Sequence, residues 1–107
     1  MLVEMLIAEM RDHKALTEYD QIFAQEIAPM LTVLPGVQSA YFATGQKALL
    51  AIVIVVWASR EIATEWCNQH GHRTLVDTLR PYARGDVTTE FFRLEREPGK
   101  PERHILN

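Results

Sequence analysis

Ten consecutive apolar residues, Ala48-Leu49-Leu50-Ala51-Ile52-Val53-Ile54-Val55-Val56-Trp57, constrain this chain more than any other feature. A membrane-crossing helix takes about 20 residues, so the run is too short for one, and its β-branched side chains suit a pleated strand. With apolar side chains at both parities, that strand must be covered above and below. Residues 2 to 10 form a second stretch of the same kind. Leu2, Leu6, Ala8 and Met10 point one way and Val3, Met5 and Ile7 the other, with Glu4 on the first face and Glu9 on the second.

The 107 residues, 48% of them apolar, suit one domain with one core. A net charge of −3 arises from interspersed acids and bases without a basic stripe, so nucleic acid is not an expected partner. The lone cysteine, Cys67, has no intramolecular partner for a disulfide, which suits a reducing compartment. Acids interrupt the apolar start, which has neither a basic leader nor a small-residue cleavage site. A cytoplasmic location without membrane association is the expectation.

Thr17, with Asp20 three residues on, resembles a capping box and predicts a helix after the polar connection Arg11–Leu16. Ile22, Phe23, Ile27, Met30, Leu31 and Leu34 give its apolar stripe, which Pro29 must kink or restart. Leu34-Pro35-Gly36 ends it. A strand over residues 37–44 follows, and Gly45-Gln46-Lys47 is the turn into the central strand. Ser59 then caps a helix with Glu61 in its first turn. Ile62, Trp66 and His70 recur at spacings of four on one face, flanked by Ala63 and Cys67. Gly71 is expected to break or loosen this helix, Leu75, Val76 and Leu79 to resume the stripe, and Pro81 to end it. Residues 86–94 form the last strand, with Phe91 and Phe92 on opposite faces, and from Glu95 the chain turns polar. The domain is therefore bounded at residues 1–95, with 96–107 a polar tail.

The element order is β-α-β-β-α-β, an α+β, ferredoxin-like split βαβ arrangement. Right-handed crossovers place both helices on one face of an antiparallel sheet whose first and third strands are central. Those two strands are apolar on both faces, yet the helices cover only one. The uncovered face would exceed ~400 Å², more than soluble monomers normally expose. A homodimer through that face, sheet on sheet across a two-fold axis, is the simplest cover.

In this order and with these lengths, residues 1–95 resemble the antibiotic-biosynthesis monooxygenase (ABM)-like family of the dimeric α/β barrel superfamily. The resemblance lies in Leu34-Pro35-Gly36-Val37 before the second strand and Val56-Trp57-Ala58-Ser59 ending the third. It also lies in an aromatic nine residues after that tryptophan, Trp66, and a histidine thirteen after it, His70. The resemblance implies a homodimer in which each subunit holds a cavity between its sheet and helices. Some members oxidise aromatic quinols or anthrones with O2 and no bound cofactor, some degrade haem, and others act on small signalling quinones or have no assigned role. The haem-degrading subgroup uses a first-strand asparagine, a second-helix tryptophan and a histidine ten residues later. Trp66 matches the tryptophan, but Val76 stands at the histidine position and the first strand has no asparagine. Haem degradation is disfavoured, and no cofactor is expected.

His70 is the candidate catalytic residue, since imidazole titrates near neutrality and its face points to the presumed cavity. A histidine hydrogen-bonded within a break at Gly71 is the plainer reading. Trp66 serves as the aromatic wall of a small-ligand cavity or as simple core packing. Tyr41 and Tyr82 offer phenolic donors to a ligand, or hold their hydroxyls in water. His72 is a further substrate-binding candidate. His70 and His72 have no third ligand at a recognised spacing, and on a helix they diverge, so no metal is expected. Cys67 has no flanking base and reads as buried structure. The reading is a small homodimeric ABM-like protein, a cofactor-free monooxygenase acting on an aromatic or quinol compound. The alternative is a non-catalytic ligand-binding or assembly module on the same scaffold.

Overall fold

The computed structural model describes residues 1–45 and 47–94, and for His70 the backbone alone. Strands β1 (Leu2–Glu9), β2 (Val37–Thr44), β3 (Leu50–Trp57) and β4 (Thr88–Arg93) form one antiparallel sheet in the order β2-β3-β1-β4. The two apolar stretches are its central pair, in register from Leu2 opposite Trp57 to Glu9 opposite Leu50. Between β1 and β2 run α1 (His13–Ile22), a π-helical turn at Phe23–Ile27, and α2 (Ala28–Thr32). Between β3 and β4 run α3 (Arg60–Cys67) and α4 (His70–Leu79). The molecule is thus an α+β, ferredoxin-like β-α-β-β-α-β sandwich in which each helical arm is split in two.

Strand alternation sorts the sheet into two unlike faces. Leu6 and Ala8 of β1 and Ala51, Val53, Val55 and Trp57 of β3 are buried against the helices, where they meet Tyr19, Phe23, Ile27, Leu31, Leu75 and Leu79. On the other face Val3, Met5, Ile7, Ile52, Ile54 and Val56 all stay partly exposed. Nothing among the described residues forms a layer over them.

The first helix begins earlier than its sequence suggests. Asp12, not Thr17, is the cap, its Oδ1 accepting from the Ala15 amide at 2.8 Å. Arg11–Leu16 hides this start because the buried residue in its first turn is only an alanine. From there Ala15, Tyr19, Phe23, Ile27 and Leu31 recur every four residues, all buried. An ideal α-helix would carry such a series gradually off one face. The π turn, in which the Ala28 amide donates to the Phe23 carbonyl, widens the coil where the drift accumulates. Pro29 follows at once, in the first turn of α2.

The second arm starts as expected, with Ser59 Oγ accepting from the Ile62 amide at 3.2 Å. Its break falls at Asn68–Gln69, before Gly71, which lies inside α4. Gly71 is required for closeness rather than for breaking: a Cβ there would lie 2.1 Å from the Trp66 ring. Gly36 combines both demands, with φ at +86° and a Cβ position 2.6 Å from Ile62. Pro81 ends α4 in a single 3-10 turn, Arg80–Tyr82. The last strand is shorter than residues 86–94, and Phe91 and Phe92 pair with Glu4 and Val3 on opposite faces. Gln46 of the expected turn and the polar stretch from Glu95 lie outside the described residues. No helix among the described residues is long and apolar enough to cross a membrane.

Candidate functional site

Among the described residues, the one charged side chain buried in the core is Glu4, fully enclosed on the helix-facing side of β1. Its register explains the enclosure: Glu4 lies between Val55 of β3 and Phe91 of β4. The indole Nε1 of Trp57, on the same face one pleat along, donates to Glu4 Oε1 at 3.0 Å. That bond fixes the carboxylate plane. Oε2 then faces α4, where Nδ1 of His72 approaches to 2.9 Å, close enough for an ion pair although off the hydrogen-bonding direction. Burial raises the Glu4 carboxyl above its ordinary range, and the Trp57 bond and His72 oppose that rise.

The break between α3 and α4 builds the rest of the site. In a continuous helix residues 67 and 72 would be rotated well apart. The elbow at Asn68–Gln69 turns both toward Glu4, so the donor atoms of Glu4, Cys67 and His72 lie within 4.8 Å of one another. Burial, then the negative charge of Glu4, pushes the Cys67 thiol up to about 11. A groove of about 420 Å³ opens at the elbow, lined by Cys67, Asn68, Gln69, His72 and Arg73. A neighbouring hollow of about 290 Å³ shares Cys67 and Asn68 and adds Leu2, Arg60, Thr64 and Phe91. The arrangement offers a proton acceptor held by a buried carboxylate at the edge of a partly apolar groove.

The structure brings His72 to the site and sets Tyr41 and Tyr82 away from it. His70 opens α4, but the continuous face it was expected to share with Trp66 is interrupted at the elbow, and its side chain lies outside the described residues. Trp66 packs against Gly71 and against Trp57, with ring centroids 5.8 Å apart in the second case. Its Nε1 is buried with no hydrogen-bond partner among the described residues, and a space of about 160 Å³ lies beside it. Tyr41, 55% exposed, pairs with Ile54 on the open sheet face, so it does not line the helix side. Tyr82 stacks edge-on against Tyr19, and its carbonyl accepts from the Arg11 amide, roughly 20 Å along β1 from Glu4.

Glu4 and Cys67 escaped the sequence reading. For Glu4 a signal existed: an acid at the helix-facing parity of a central strand, between Leu2 and Leu6, has to find a partner inside. For Cys67 none did, because its proximity to Glu4 depends on where the helix breaks.

No family sequence model and no curated protein matches the chain. Solved structures do. A putative antibiotic biosynthesis monooxygenase from Deinococcus radiodurans superposes with a TM-score of 0.73 at 10% identity, over 94% of this chain and 98% of that one. The chain has the ABM fold. SnoaB, a cofactor-independent oxygenase from Streptomyces nogalater, gives a TM-score of 0.71 at 15% identity over 92% and 97% of the two chains. The haem degrader MhuD from Mycobacterium tuberculosis gives 0.72 at 20% identity over 92% and 100%. At these identities the ABM likeness is one of architecture, and the chemistry has to be argued from the side chains.

Proposed function

We propose that the protein is a homodimeric ABM-like oxygenase that needs no bound cofactor and acts on an aromatic or quinol-type small molecule. The observation that carries this reading is the buried series Trp57–Glu4–His72 ending at the groove. With Nδ1 of His72 turned to Glu4, Nε2 is the ring nitrogen left to take a substrate proton. Glu4 stabilises the imidazolium that forms when His72 takes a substrate proton, and Trp57 holds Glu4 in place. The substrate anion then supplies the electrons itself. For a CH2 flanked by aromatic rings, O2 adds to the deprotonated carbon, and loss of water from the hydroperoxide leaves a ketone. One oxygen atom ends in product and the other in water.

The homodimer is supported by the open sheet face, where Val3, Met5, Ile7, Ile52, Ile54 and Val56 form a continuous apolar surface. We propose further that His70, at the start of α4, serves as a second histidine and Trp66 as an aromatic wall. A non-catalytic ligand-binding module is the second reading, favoured by the close packing of Trp66 on Gly71 and Trp57. O2 uptake with a panel of anthrones and quinols separates the two. Turnover that falls at least a hundredfold in His72→Ala supports the oxygenase. No uptake with any of the panel, together with ligand binding, supports the module.

A further inference from the structure

We propose that Glu4, Cys67 and His72 form a binding site for a borderline-soft divalent metal ion, zinc by its chemistry, at the elbow between α3 and α4. Three elements of different kind each supply one donor: a carboxylate oxygen from β1, a thiol sulfur from the end of α3 and an imidazole nitrogen from the first turn of α4. All three donor atoms lie within 4.8 Å of one another.

A four-coordinate zinc ion holds sulfur at about 2.3 Å and nitrogen or oxygen at about 2.0 Å, which sets donor separations of roughly 3.3 to 3.6 Å. Glu4 Oε2 and His72 Nδ1, now 2.9 Å apart, would open slightly while the Cys67 sulfur closes in. Among the described residues neither that oxygen nor that nitrogen makes an aligned hydrogen bond, each meeting only the other, although Glu4 is fully buried. A buried carboxylate oxygen whose one polar neighbour is misaligned keeps lone pairs that a cation can take up. Trp57 Nε1, bonded to the other carboxylate oxygen, is the outer contact that orients a metal-binding carboxylate. The fourth position opens on the groove beside Asn68 and Gln69, where a water or a small anionic ligand completes the set. One thiolate, one imidazole and one carboxylate select zinc or cobalt(II) over magnesium or calcium, which prefer oxygen alone.

A metal here would occupy the oxygen and nitrogen that face one another in the proton-transfer reading, on which this inference rests, so turnover by that route belongs to the metal-free protein and a bound ion blocks it. Binding is read by spectroscopy, so its outcome stands apart from that of the turnover assay.

The test is a cobalt(II) titration of the full chain after treatment with a chelator. Because Cys67 is the only cysteine, any sulfur-to-cobalt charge-transfer band reports on it. The expected result is one cobalt per subunit, with that band and the intense visible spectrum of a four-coordinate ion, both displaced by zinc. Cys67→Ser should abolish the charge-transfer band, and His72→Gln and Glu4→Gln should each weaken binding at least tenfold, with circular dichroism confirming the fold. If Cys67→Ser does not fold, His72→Gln, at a side chain still 21% exposed at the groove, is the deciding variant. A pale six-coordinate spectrum without charge transfer, or a band that persists undiminished in His72→Gln, would overturn the proposal.

Discussion

The indole of Trp57 and the carboxylate of Glu4, 53 residues apart in sequence, meet at 3.0 Å inside the core, with His72 and Cys67 on the carboxylate's other side. A carboxylate in that position destabilises the fold unless it is needed, because burial disfavours its ionised form. Glu4 is therefore the residue where stability and function are expected to pull apart.

Glu4→Gln should show this in its pH dependence. Burial holds the Glu4 carboxyl above its ordinary value of 4.5, so the folded chain keeps this proton better than the unfolded chain does. The stability it contributes is full below pH 4.5 and is lost as pH rises through the folded value. Glutamine keeps an oxygen for Trp57 and cannot ionise. Thermal melts should find the variant at least as stable as the wild type at neutral pH, with a flatter profile above pH 4.5. A variant markedly less stable at neutral pH would show that the ionised pair with His72 is a net stabiliser.

Gly71 fits beneath the Trp66 ring with no room for a side chain. Gly71→Ala should cost about 1–3 kcal/mol by overpacking, even though alanine is the better helix former. Urea denaturation measures this. Trp66→Leu in the same background should recover part of the loss by removing the ring atoms that a Cβ would meet.

Much of this architecture was legible in the sequence, and the reasons are specific. Strand positions came from the parity of Val53 and Ile54 or Leu6 and Ile7, a local signal that tertiary packing only reinforces. The cap at Ser59 and the stop at Pro81 are equally local. What could not be read was geometry set by long-range fit: the π turn that keeps Ala15 to Leu31 on one face, and the elbow at Asn68–Gln69. The second mattered most. It interrupts the Ile62–Trp66–His70 face that helical spacing implies, and it turns Cys67 and His72 onto Glu4 instead. Tyr41 was an ambiguity of another kind, since alternation along β2 fixes which residues share a face but not which face the helices take.

The open sheet face predicts a dimer. Sedimentation equilibrium at micromolar concentration should give twice the 12.3 kDa chain mass. Ile54→Lys, at the middle of the face opposite Met5, should shift the distribution to monomer or to unfolded chain, since a lysine cannot be packed between two apolar sheets. A wild-type monomer, stable and unaggregated, would remove the sheet-on-sheet assembly.

The Cys67 thiol, pushed up to about 11 by burial and by Glu4, is almost entirely protonated near neutral pH. Metal-free protein should react with iodoacetamide at pH 8 at least tenfold more slowly than the same chain unfolded in urea, as read by mass spectrometry. Alkylation equally fast in both would mean that the thiol is neither buried nor near a negative charge.

The central claim is that Glu4 acts through His72. Its most direct measurement is a double-mutant cycle on kcat, for a substrate found active in the O2-uptake panel, using metal-free wild type, Glu4→Gln, His72→Gln and the double variant. If the carboxylate works only by orienting and stabilising the imidazole, Glu4→Gln lowers kcat in the wild-type background and has no further effect once His72 is gone. Losses that multiply in the double variant, or full turnover in His72→Gln, would contradict the account.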